Sequence, residues 1–196
     1  MVNAAVKKYF NINFNTTSIV RNGDISSGVT GSSRVFMRTL VPANPTPTIL
    51  AQGAMANDGY NTPHPLLGSN YQEMLTGQNV DTFLHLFQLT DSGTATMDAS
   101  TYIKSGDGRA QGAEVTMGSQ NWIVMFSVSA PTLTGGTISY TVPNAGPCRH
   151  VIGDLPASKA LQVSVGGATQ TVTTDSSGVL TFQTPSGTPQ IQISGQ

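Results

Sequence analysis

Apolar and polar residues alternate with a period of two along most of the chain. In "TQTVTTDSSGVLTF", residues 169–182, Val172 lies between threonines, and beyond a Ser-Ser-Gly turn Val179, Leu180 and Phe182 resume the pattern. This is the signature of paired strands. The same reading predicts strands over 8–14, 18–20, 34–40, 82–90, 101–104, 113–117, 122–128, 137–142, 160–165, 169–174, 179–183 and 190–193, punctuated by "NGD", "DSG", "GDG", "TGG" and "DSSG" turns. No window of helical periodicity interrupts them. The expected fold is all-β, an antiparallel β-sandwich spanning residues 1–196 as one domain.

Two segments are apolar on both faces. "TFLHLFQLT" sets Phe83, His85, Phe87 and Leu89 on one side and Leu84 and Leu86 on the other, and "WIVMFSV" is apolar almost throughout. Both are expected to be central strands, with Phe87, Trp122 and a hydrogen-bonded His85 in the core. Residues 41–78 break the texture with Pro42, Pro45, Pro47, Pro63 and Pro65, and are expected to form a long irregular arm.

Only 10% of the residues are charged and the formal net charge is −1, whereas Ser, Thr, Gly and Asn are abundant. Such a surface has no field to attract phosphate, so a nucleic-acid partner is not expected. No stretch has the ~20 apolar residues of a membrane-spanning helix, so membrane insertion is not expected, and the first fifteen residues lack the apolar run of a secretory signal. The neutral polar surface nevertheless resembles that of extracellular or virion-surface proteins. Cys148 has no partner for an intrachain disulfide and reads as a packing residue.

Candidate chemistry is sparse. His64, His85 and His150 show no metal-ligand spacing with one another or with Cys148, so no metal or other cofactor is expected. The acids are scattered, mostly beside Gly or Ser in turns, and no nucleophile elbow or phosphate loop is present. Tyr60, Tyr71 and the proline-flanked His64, with Tyr102, are the candidate glycan or partner contacts, because flat rings near Asn57, Asn61 and Asn70 serve either ligand. Tyr60, His64 and Arg109 are nominal acid–base groups only.

In chain order, "SSRVFMRTLVPANPTPT", "DTFLHLFQLTDSGTATM", "QNWIVMFS", "HVIGDLPASKALQVSVGG", "TQTVTTDSSGVLTF" and "PQIQIS" resemble the β-sandwich region that follows the helical toroid of heparinase II/III-like polysaccharide lyases. The resemblance runs from about Lys7 onward and implies stacked antiparallel sheets. It carries over no catalytic residue and no metal, because the toroid that supplies the acid and base in those enzymes has no counterpart here. The leading expectation is a non-catalytic structural or adhesive module, a homo-oligomer or a component of another protein's lattice, on an extracellular particle such as a phage virion. A carbohydrate-binding accessory domain follows, and a polysaccharide lyase stands third.

Overall fold

The structure is a computed structural model that describes residues 7–56, 64–76, 82–128, 131–187 and 189–195. It is all-β, with no helix among the described residues. The chain divides into two compact units, Met1–Met97 and Asp98–Gln196.

In the first unit, β1 (Lys7–Asn13), β5 (Thr48–Leu50) and β8 (Asn70–Thr76) form one sheet in the order β1-β8-β5, while β2 (Val20–Asn22), β3 (Ile25–Thr30), β4 (Ser33–Val41) and β9 (Leu84–Asp91) form a second in the order β2-β3-β4-β9. A separate ribbon pairs β6 (Met55–Ala56) with β7 (His64–Pro65). Residues 41–78 are therefore not one irregular arm. Their described parts hold β5 to β8, strands too short or too proline-flanked to alternate visibly.

β9 is an edge strand, paired on one side with β4. Phe87 is 40% exposed and Leu89 80% exposed, against the core positions expected for this segment. The interior between the two sheets holds Phe14, Met37 and Tyr71, with Phe10, Ile12 and Val35 against them.

In the second unit, β10 (Ser100–Lys104), β11 (Ala110–Met117), β12 (Gln120–Ser127), β14 (Cys148–Ile152) and β17 (Leu180–Thr184) form a five-stranded sheet in that order. Its partner has the order β13 (Thr137–Thr141), β18 (Gln190–Ser194), β15 (Ala160–Val165) and β16 (Ala168–Thr173). Here the "WIVMFSV" expectation holds, since β12 lies between β11 and β14. Ile123, Met125, Ile138, Ile152, Leu161, Leu180, Ile191 and Ile193 fill the interior at 0% exposure. Two glycines are required sterically. A Cβ on Gly112 would lie 1.8 Å from the Val124 carbonyl, and one on Gly178 (φ +78°) 2.1 Å from that of Leu155. The Gly178 turn is closed by Asp175 Oδ1, which accepts from the amides of Ser177 and Val179 at 2.8 and 2.9 Å.

Candidate functional site: the outer face of the five-stranded sheet

Side chains in β12 alternate across the sheet. Asn121, Ile123 and Met125 are buried, so Trp122, Val124 and Phe126 face the other way. Register extends this outer face across the neighbouring strands. Val115 and Arg149 flank Trp122, Ala113 and Val151 flank Val124, and Gln111 stands beside Phe126. Tyr102 lies one strand further, opposite Ala113.

The result is a sheet face carrying three aromatic rings. Trp122 and Phe126 are four residues apart on one strand, about 13 Å of backbone, and Tyr102 is two strands from Val124, about 10 Å. Phe126 is 48% exposed and Tyr102 37% exposed, and Met117, on the same face, is 49% exposed. The polar groups among them are held in place. The Tyr102 hydroxyl donates to Gln111 Oε1 at 2.9 Å, and its pKa is raised by burial. The Arg149 guanidinium sits 5.0 Å from the centre of the Trp122 ring. With its carboxamide oxygen turned toward that guanidinium, Gln183 accepts from Arg149 Nη2 at 3.0 Å and Nε at 3.2 Å. Arg149 is thus held in place over Trp122.

The opposite outer face, on the four-stranded sheet, has a different character. Its outward positions are Thr, Ser and Gln in β13, β18 and β15, apart from Ala160, and threonines in β16. The module is two-sided, with one hydroxyl-and-amide face and one aromatic face.

Of the candidate contact residues named from the sequence, Tyr102 alone stands on this surface. Tyr60 lies outside the described residues. His64 is placed in β7 opposite Ala56, and its side chain lies outside them. Tyr71 is corrected: it is 1% exposed in the first unit, its hydroxyl donating to Glu73 Oε2 at 3.0 Å and lying 3.0 Å from Thr39 Oγ1, so it is an interior group and not a contact ring. Burial pushes its pKa up to about 12. Trp122 is corrected in the opposite sense, from core to a half-buried outer position. The clue in the sequence was that, in "WIVMF", the two aromatic residues share one parity and Ile123 and Met125 the other.

Of the nominal acid–base groups, Arg109 is the one whose side chain is described, and it is occupied. Arg109 Nε bonds Asp107 Oδ2 at 2.6 Å and its Nη1 donates to the Thr134 carbonyl at 2.9 Å. Cys148 is 1% exposed, and burial raises its thiol to about 12. Among the described residues no three His, Cys, Asp or Glu side chains gather as metal ligands. No protein-family model matches the chain, and no curated protein matches it.

Proposed function

We propose that the protein is a non-catalytic adhesive β-sandwich module of an extracellular particle such as a phage virion, and that the aromatic face of its second unit holds a neutral polysaccharide. The observation that carries this reading is the placing of Tyr102, Trp122 and Phe126 on one sheet face beside amide groups. Aromatic rings offer apolar planes for the C–H faces of pyranose rings, and the exposed Gln183 supplies an amide beside them. Patches of this kind mark contact surfaces in soluble proteins. The low charge of the chain supports a neutral ligand over an anionic one.

Light scattering on the purified chain, alone and with a panel of neutral soluble polysaccharides, tests the proposal, with Trp122 fluorescence as the second readout. The expected result is a mass and fluorescence change with at least one polymer. Tyr102→Ala or Phe126→Ala should weaken it roughly tenfold or more while melting is unchanged. A discrete oligomer formed without sugar and dispersed by Phe126→Ser, with no polymer bound, would make the same face an assembly surface and overturn the glycan reading.

A further inference from the structure

On the first unit, the outer face of the β2-β3-β4 sheet forms the floor of a cleft of about 750 Å³, walled by Thr16–Ser18 and by Ala95–Met97. That volume lies in the range of small-ligand sites. Two arginines, Arg34 and Arg38, project onto this floor from β4, flanking the intervening Phe36. Their circumstances differ. Arg38 Nε is 3.5 Å from Asp24 Oδ2, so its charge is answered within the protein. Arg34 has no carboxylate in ion-pair range among the described residues. Its guanidinium is instead fixed without being neutralised: the carbon lies 5.5 Å from the centre of the Phe36 ring, and Nη1 donates to the Thr94 carbonyl at 2.6 Å.

A cation immobilised on an aromatic ring and one carbonyl has lost its rotamer entropy before any ligand arrives, which is the preorganisation an anion receptor needs. The rest of the lining specifies more than charge. Thr17, Asn22, Ser27 and Thr96 place hydroxyls and an amide in the lining, while Val20 and Ile25 supply apolar floor. We infer that this cleft is a receptor for a polyhydroxylated carboxylate, with Arg34 anchoring the carboxylate and the Ser, Thr and Asn side chains binding hydroxyls. The site is on a different unit from the aromatic face and does not depend on the glycan reading of that face.

The test is calorimetric titration of the full chain with gluconate, glucose, acetate and sulfate. Gluconate should bind one per chain. Glucose, acetate and sulfate should each bind roughly tenfold more weakly or worse, since each lacks part of the recognised chemistry. Arg34→Gln should weaken gluconate by about tenfold or more. Val20→Trp, at a position 66% exposed, should block the cleft while leaving Arg34 and its partners in place. Circular dichroism of both variants separates loss of binding from loss of fold. Glucose or sulfate binding as tightly as gluconate, no gluconate binding at all, or undiminished binding by folded Val20→Trp would each overturn the inference.

Discussion

Each unit buries a histidine between its sheets, and the two surroundings differ. In the second unit His150 is 0% exposed and stacked on Phe182 with ring centroids 4.4 Å apart. Both its nitrogens are engaged, Nδ1 with the Tyr140 hydroxyl at 2.9 Å and Nε2 with Thr184 Oγ1 at 3.1 Å. In the first unit His85 stacks on Phe10 at 3.8 Å and bonds Thr39 Oγ1 through Nδ1 at 3.1 Å, but among the described residues Nε2 has no hydrogen-bond partner, and it stands 3.8 Å from Glu73 Oε2. Glu73 is itself 2% exposed with Oε1 unbonded. One site is a neutral imidazole fully accommodated by hydroxyls in an apolar core. The other is a polar cluster incompletely satisfied between two small sheets. A buried polar group costs stability in proportion to what is left unpaired, so the His85–Glu73 cluster should cost the first unit stability that the His150 site does not cost the second.

The sharpest way to break this contrast is at the tightest point of the second unit. Gly112→Ala sets a methyl group against backbone at 1.8 Å and should cost more than about 4 kcal/mol, enough to unfold the unit in a chemical-denaturation curve followed by Trp122 fluorescence. Trp122 is the sole tryptophan, so its emission reports this unit alone.

Next comes acid. Burial lowers both His150 and His85 from 6.5 to about 4. The unfolded chain therefore binds protons between pH 6.5 and about 4 that the fold excludes, and stability is complete above 6.5 and falls as pH drops through that window. For His150 the loss should reach roughly 3 kcal/mol, read as a falling denaturation midpoint. A flat profile in His150-containing protein would place charge in that core after all. Tyr140→Phe, which strips Nδ1 of its partner, should cost about 1–3 kcal/mol by the same assay.

In the first unit the sign reverses for the carboxyl. Burial raises Glu73 above its ordinary value, so its contribution is present at low pH and is lost as pH rises through the raised pKa. Glu73→Gln should remove that loss and stabilise the unit at pH 8 by about 1 kcal/mol, seen as slower hydrogen exchange of the β8 amides. A faster exchange would show that the carboxylate is needed. Smallest is Phe87→Ala: a side chain 40% exposed on an edge strand should cost under about 1 kcal/mol, not the 3–5 of a core phenylalanine.

The second unit was largely legible from the sequence because its strands have one apolar parity and one polar parity, as at Ile191 and Ile193 between glutamines. β14, "CRHVI", was missed because a buried histidine sits at one of its inward positions. In the first unit β3, "ISSGVT", escaped for a similar reason, since Ser26 and Gly28 occupy its inward face, where Phe14 and Thr16 leave no room for more. Double-sided apolar runs had two different causes. In β9 they reflect an edge strand, and in β12 a sheet whose outer side carries aromatic rings. Alternation reports which side chains share a face, not what lies over that face. The cleft was not legible at all, because Arg34, Thr94 and Thr96 meet only through the β4–β9 pairing.

β18 adds an ordering in time. It lies between β13 and β15, and its Ile191 and Ile193 are both at 0% exposure. During synthesis β13 emerges some fifty residues before the strand it must pair with, so it waits with an unformed edge until residues 190–194 leave the ribosome. A ribosome stalled before residue 190 would carry a nascent chain in which β13 and β15 lack the strand that lies between them, and the interior that Ile191 and Ile193 fill would stand open.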